Sequence, residues 1–334
     1  MSPERAHAFV ISLYKNILKR TANREEFSHW SGLLQAGSSA ADIYYAFVNS
    51  QEYKDKSQVA EFFPTGHFHS PVVDPRTVVD YVRKEQLATS PSVSGIELPL
   101  DEMIELWQNS SALIAATPFQ NEPSGNRRFY YNQIFPYGDA VSLRMMFAHI
   151  KPRAVIEIGS GFSSACMLDC ADEFQTKTNF TFIDPDPARL KMLLTKNDLQ
   201  NVKIIEAPVQ STDLAMYSSL ERGDILFIDS THVLKTGSDV HFELFHILPL
   251  LKPGVSIHFH DIHFPFEYPD EWIFKDNLSW NEIYALRAFL MYNSDFKVRF
   301  WGSCLARERP DLVQQVFPLF LKNPGGSIWM ERVR

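Results

Sequence analysis

A short apolar run that ends in two glycines sets the framework for the whole chain: Val155-Ile156-Glu157-Ile158-Gly159-Ser160-Gly161-Phe162-Ser163-Ser164. The apolar residues before the first glycine read as a buried strand, and the residues from Ser163 onward read as a helix. Glycines in such a turn let the backbone come close to a ligand, and the helix that follows points its N-terminus at it. The same alternation continues downstream. Strands are predicted at 180–183, 202–205, 225–228, 255–259, 296–300 and 327–330, with helices at 239–251 and 280–292 and another through Leu190 and Leu193. Strand and helix in alternation imply an α/β fold with a mainly parallel sheet covered on both faces. Ligands of such sheets sit outside the carboxyl ends of the strands, so the polar residues at those ends become the candidates for function.

The second candidate group follows from this rule. Phe180-Thr181-Phe182-Ile183 ends in Asp184, which lies 23 residues after Gly161. A carboxylate at the end of a second strand can accept both ribose hydroxyls of an adenosine. Asp224-Ile225-Leu226-Phe227-Ile228 ends in Asp229-Ser230-Thr231-His232, and the next strand ends in His258-Phe259-His260-Asp261-Ile262-His263. The glycines and Asp184 alone fit a dinucleotide or an S-adenosylmethionine site equally. Glu157 ahead of the glycines suits a sulfonium ligand better than a pyrophosphate, and the last glycine of a dinucleotide fingerprint is missing.

The chain has 334 residues, with 32 Lys and Arg against 40 Asp and Glu, a net charge of −8. That length suggests about two domains. The acid excess argues against a general nucleic-acid binder, which needs clustered cations. No apolar stretch approaches the ~20 residues of a membrane span. Glu4, Arg5 and His7 precede any apolar run, so no signal peptide is expected. Three cysteines without zinc spacing read as small buried thiols, and a cytoplasmic location is expected.

Residues 1–60 read as a helical module, with Phe9, Val10, Leu13, Tyr14, Ile17 and Leu18 recurring at helical spacing. Residues 61–127 read as a linker and helices that dock on the core, including 77–86 and a longer helix over 98–116, with a Ser/Pro/Gly connection at 89–95. The first segment resembles a small helical domain of unknown function similar to phycobilisome-linker helices. The resemblance rests on Tyr14-Lys15-Asn16-Ile17-Leu18-Lys19-Arg20, Phe27, Trp30, Gly37-Ser38-Ser39 and Phe47-Val48-Asn49-Ser50-Gln51-Glu52-Tyr53. It implies an interaction module, hence a protein partner.

Residues 128–334 resemble class I S-adenosylmethionine-dependent methyltransferases, a Rossmann-like fold. The closest branch is bacterial and carries Ile-Asp-x-x-His and His-Asp-Ile strand ends. The residues that match are Glu157 to Ser164, Asp184-Pro185, Phe227 to His232, Leu251-Lys252-Pro253-Gly254, His258 to Ile262 and Trp280-Asn281-Glu282. By this resemblance Glu157, Gly159 and Gly161 hold the amino-acid part of the cofactor, with Ser163 beside them. Asp184 holds the ribose, and Val209 and Gln210 edge the adenine. Asp229 faces the methionine end or the substrate, with Ser230 beside it on the cofactor, and Tyr131, within Tyr130-Tyr131-Asn132, forms part of a lid.

The implied chemistry is an in-line displacement of methyl from sulfur, in which the enzyme aligns the nucleophile and removes its proton. His260, Asp261 and His232 are the candidate base group, since imidazoles titrate near neutrality. The alternative is a metal. Catechol-type and macrolide-sugar methyltransferases place oxygen ligands after strands four and five, which maps onto Asp229 and Asp261 and points to Mg2+. The aromatic block Phe264 to Trp272 and Trp280 to Tyr284 reads as a substrate lid. The expectation is O-methylation of a small polar or glycosyl acceptor. N-methylation of a small metabolite, a nicotinamide-dinucleotide oxidoreductase and a catalytically silent scaffold stay open.

Overall fold

The computed structural model describes residues 3–56, 63–87, 93–125 and 127–334. Its backbone forms two compact units, Met1–Val72 and Val73–Arg334. The expected boundary after residue 60 and most of the 89–95 connection lie outside the described residues.

The first unit holds α1 (Pro3–Asn16), α2 (Arg24–Gln35), α3 (Ala40–Val48) and α4 (Gln51–Lys56). Its core is Ala6, Val10, Leu13, Leu34, Ile43 and Phe47, the residues that helical spacing puts on the inner faces. Asn23 and Glu26 cap α2 reciprocally, each side chain taking the other's backbone N–H. Arg20 then forks between two carboxylates, donating to Glu26 at 2.7 Å and to Glu52 at 2.6 Å. This fork ties the start of α2 to α4.

The second unit begins with α5 (Val79–Gln86), α6 (Leu100–Asn109), α7 (Ser111–Ala115) and α8 (Tyr137–Ile150). The helix expected over 98–116 breaks at Ser110 into α6 and α7. The core then runs β1 (Ala154–Ile158), α9 (Phe162–Phe174), β2 (Asn179–Ile183), α10 (Ala188–Leu193), α11 (Lys196–Asn201), β3 (Lys203–Ile205), α12 (Ala215–Ser218), β4 (Ile225–Ile228) and α13 (Asp239–Phe242). Next come β5 (Ser256–Phe259), α14 (Glu282–Leu290), β6 (Phe296–Trp301), α15 (Gly302–Glu308), α16 (Pro310–Val316), α17 (Leu319–Lys322) and β7 (Ile328–Arg332).

The seven strands make one sheet in the order β3-β2-β1-β4-β5-β7-β6. The first five are parallel, and β7 runs antiparallel to both β5 and β6. This is a Rossmann-like arrangement with an antiparallel hairpin-like end. All four residues of β4 are buried, as expected of a strand covered on both faces. Cys166, Cys170 and Cys304 are buried free thiols. Among the described residues no helix is long and apolar enough to cross a membrane.

The register positions the site. Ile158 pairs with Ile183 and with Ile228, and Ile228 pairs with Phe259. The residues that follow these four are Gly159, Asp184, Asp229 and His260, so they line up along one edge of the sheet. Each still makes one backbone bond to its neighbour: Gly159 N–H to Ile183, Asp184 to Ile205, Asp229 to Ile158 and His260 to Ile228, at 2.8–3.1 Å. At the strand spacing of about 4.8 Å they form a row.

Candidate functional site

The loop after β1 turns at Gly159, whose φ is +77°. A Cβ there would lie 1.7 Å from the carbonyl oxygen of Asp229, so only glycine lets β1 and β4 end this close together. Asp184 fixes the same loop from the other side. It accepts from the Ser160 N–H at 2.9 Å and the Ser160 hydroxyl at 3.1 Å, and its second oxygen accepts from the Asp186 N–H at 2.8 Å.

Glu157 departs from its expected role. It is fully buried, and its two carboxylate oxygens accept from the Ser163 hydroxyl, at 2.5 Å, and from the Ser164 hydroxyl. Burial pushes its pKa up to about 8, against the lowering effect of both serines, so the group is neutral at pH 7. It therefore braces the first turn of α9 from behind and offers no charge to a ligand. Ser163 is committed to the same brace.

Tyr131 is a second correction. Its ring lies in an aromatic group with Phe119, Phe129 and Tyr137, and its hydroxyl is buried. The neighbouring Tyr130 turns the other way and meets Phe162, the first residue of α9, at 5.5 Å. In an extended segment adjacent side chains alternate, so Tyr130 and not Tyr131 faces the start of α9. Arg128 pins this segment down, donating to Asp198 at 2.6 Å and Asp169 at 3.0 Å.

Gln210 is exposed and donates to the Gly237 carbonyl at 2.9 Å, which ties the turn after β3 to the loop after β4. Ser230 turns its hydroxyl away to Glu243, at 3.2 Å. Its side chain serves the loop.

Beyond Asp229 lies a dense group of acids and imidazoles. His232 Nδ1 is 2.8 Å from Glu282, while its Nε2 is 3.5 Å from Asp229 and 3.4 Å from Asp261. His260 Nε2 is 3.6 Å from Asp261. Burial works to make both imidazoles neutral. The surrounding carboxylates overrule it, raising His232 well above its usual value and His260 to about 9. For Asp229, burial acts upward, but His260 and His232 outweigh it and hold the carboxyl below the usual range. His232 and Asp261 both adopt positive φ, near +60°, which concentrates backbone strain at these strand ends.

Asp229, His260 and Asp261 can each offer one ligand atom within 4.8 Å of the other two. Two carboxylates and an imidazole fit a divalent cation. The oxygen pair suits magnesium, while the nitrogen also admits manganese or zinc. The His232–Glu282 pair beside them is the kind of carboxylate-backed imidazole that orients such centres.

His258 stands apart from its expected company. It is fully buried, stacks on Phe227 with ring centroids 3.8 Å apart and bonds Ser327 Oγ at 3.0 Å. Ser327 in turn donates to Asp139 at 2.6 Å. Burial drives the His258 pKa well down. Burial also raises Asp139, to about 6. Asp139 lies on α8, far from any strand end in sequence, and only its tertiary contact with Ser327 reveals it. On the open side, Trp280 lies 4.4 Å from His232 and 5.4 Å from Trp272, ring to ring. These two indoles and Tyr268 form an aromatic wall beside the acids.

Residues 156–262 match the family model of a methyltransferase domain, and residues 4–57 match that of a domain of unknown function, DUF4214. An uncharacterized protein of Archaeoglobus fulgidus is 29% identical over 179 residues, covering 50% of this chain and 78% of the relative. Among solved structures, the SAH-bound methyltransferase PaMTH1 of Podospora anserina aligns with 14% identity and a TM-score of 0.38, over 83% of this chain and 100% of that one. The O-methyltransferase TomG of Streptomyces achromogenes, in complex with SAM, aligns with 11% identity and a TM-score of 0.39, over 76% and 98%. The segment that spans β1 to β5 is thus similar to a methyltransferase domain.

Proposed function

We propose that this methyltransferase domain takes its methyl group from S-adenosylmethionine and delivers it to an oxygen of a small polar or glycosyl acceptor. One observation carries the reading. The strand register sets the donor-type residues, Gly159 and Asp184, in the same row as Asp229 and His260. A nucleoside thioether across β1 and β2 would then end beside an acid–imidazole group. S-adenosylmethionine, when bound, supplies an electrophilic methyl on a positively charged sulfur.

The chain's own residues would do the rest. Gly159 and Gly161 leave room for the donor, and Asp184 receives the ribose while it holds the loop through Ser160. The acceptor enters against Trp272 and Trp280, whose faces suit a ring. Its hydroxyl proton passes to Asp261, which lies 3.4 Å from His232 Nε2 and 3.6 Å from His260 Nε2. Both imidazoles would stabilise the negative charge that develops on the acceptor oxygen as its proton leaves. In the alternative arrangement Asp229, Asp261 and a deprotonated His260 would instead hold a divalent cation, which would acidify the acceptor hydroxyl. The N-terminal unit is proposed as an interaction module for a protein partner.

Calorimetric titration with S-adenosylhomocysteine, with and without magnesium, tests this. Micromolar binding by the wild type is expected, with a loss of about 10- to 100-fold in Asp184→Ala. Folded wild-type protein that binds no S-adenosylhomocysteine would overturn the reading and favour the oxidoreductase or scaffold alternatives.

A further inference from the structure

The donor loop leaves one chemical problem unsolved. An amino-acid end carries a carboxylate as well as an ammonium, and the acids at the loop itself suit only the ammonium, while His232 and His260 are engaged with Asp229 and Asp261. Asp184 and Asp229 repel an anion, and Glu157 is sealed behind α9. Three of the loop's amides are already taken, which leaves only the first N–H groups of α9. Gly159 N–H donates to the Ile183 carbonyl, Ser160 N–H to Asp184 and Gly161 N–H to Ser164 Oγ. A carboxylate here needs a cation from elsewhere.

Arg189 is that cation by position. It lies on α10, carried there by the Asp184-Pro185-Asp186-Pro187 turn. Its side chain runs over the glycine loop: a Cβ built on Gly161 would sit 3.0 Å from Arg189 Cδ and 3.9 Å from one terminal guanidinium nitrogen. The side chain is exposed, and it makes no ion pair or hydrogen bond among the described residues. Its stem packs along the loop, as long cationic side chains do, and its guanidinium is left free to take a further anion. Its charge also reaches the methionine end, since it helps hold the Asp229 carboxyl low after burial and the two imidazoles have acted.

We propose that Arg189 receives the carboxylate of the donor's amino-acid end, closing over Gly161 as the donor binds. This assignment rests on the S-adenosylmethionine reading above and adds the anion contact that the loop lacks. It also gives Gly161 a second reason to be glycine: a side chain there would push the arginine stem aside.

The test compares two ligands that differ by one carboxylate, S-adenosylhomocysteine and its decarboxylated analogue, titrated into wild type, Arg189→Met and Arg189→Lys. Methionine keeps the stem over Gly161 and removes the charge. The wild type should bind S-adenosylhomocysteine about 10- to 100-fold more tightly than the analogue. Arg189→Met should lose that advantage, binding both ligands at the level of the analogue, and Arg189→Lys should recover part of it. Equal loss for both ligands would overturn the assignment and put Arg189 on the nucleoside. So would an advantage that survives in Arg189→Met, or a wild type that holds both ligands equally. Folded wild type that binds neither ligand would remove the donor site itself. That result cannot be confused with the others, in which S-adenosylhomocysteine still binds.

Discussion

At the scale of single residues, the structure separates groups that meet a ligand from groups that brace them. Glu157 is the clearest brace, and its chemistry gives a pH signature. Its folded pKa, about 8, lies above the value of about 4.5 in an unfolded chain. Below pH 4.5 both states hold the proton and the residue costs nothing. Between those values only the unfolded state releases it, so stability falls as pH rises from 5 to 8, by on the order of 1 kcal/mol for each unit crossed. Glu157→Gln should remove this slope, which urea unfolding at pH 5, 6.5 and 8 would show. A slope unchanged in the variant would mean that Glu157 is ionised in the fold. Gly159→Ala should fail differently. The positive φ costs about 1–2 kcal/mol and the clash with the Asp229 carbonyl adds to it, so both the unfolding midpoint and S-adenosylhomocysteine affinity should fall. These residues were legible because strand ends are legible: an apolar run followed by Gly, Asp or His marks its own edge. Asp139, Glu243 and Arg189 were not, because the groups they lie against, Ser327, Ser230 and Gly161, belong to other elements of the fold. Tyr131 was misread because the choice between two adjacent tyrosines depends on which way one extended residue faces.

At the scale of elements, the five parallel strands and their order of appearance follow from alternation, but two features do not. The first is the end of the sheet. β7 inserts between β5 and β6, and no local pattern tells a strand which neighbours it will choose. Its placement depends on Gly325 and Gly326, which lie against Asp139 and the Asp261 backbone with no space for a Cβ. The second is the helix expected over 239–251. It starts as α13, widens through a π-turn at Glu243–Ile247 and tightens at Leu248–Leu250. Pro249 has no N–H to continue an α-helix, and the π-turn buries Glu243 behind Ser230. The segment before α8 shows how a tertiary clamp replaces local structure. Arg128 is about nine-tenths buried and bridges Asp169 and Asp198, which are almost wholly buried. Arg128→Ala would leave two buried carboxylates without a counter-charge, held only by the backbone N–H groups of residues 128 and 129 and by Thr195, a loss of up to about 3 kcal/mol. It should also free Tyr130 from Phe162. Urea unfolding would measure the first effect. A variant within about 0.5 kcal/mol of wild type would mean that water replaces the guanidinium.

At the scale of the whole molecule, two separate cores imply two separate stabilities. The core of the first unit is eight buried residues, from Ala6 to Phe47, and that of the second is the large cluster around the sheet. A small helical unit buries a lower fraction of its chain and is correspondingly marginal, so the Arg20 fork to Glu26 and Glu52 matters more there than a similar pair would elsewhere. The charge divides as unevenly as the cores. The seven basic and seven acidic residues of 1–72 cancel, which leaves the whole excess of −8 on 73–334. A sulfonium donor would be drawn to that charge, whereas the helical unit carries no net charge of its own. Calorimetric unfolding should therefore show two transitions with different handles. S-adenosylhomocysteine at about 100 times its dissociation constant should stabilise the catalytic unit by about 2.7 kcal/mol and leave the other where it is. Arg20→Ala should lower the small transition, by about 1 kcal/mol because the arginine is partly exposed, and should not alter ligand affinity. If instead the ligand raised both transitions together, or Arg20→Ala weakened binding, the two units would be thermodynamically one. The helical module would then have to be counted as part of the enzyme that holds the donor.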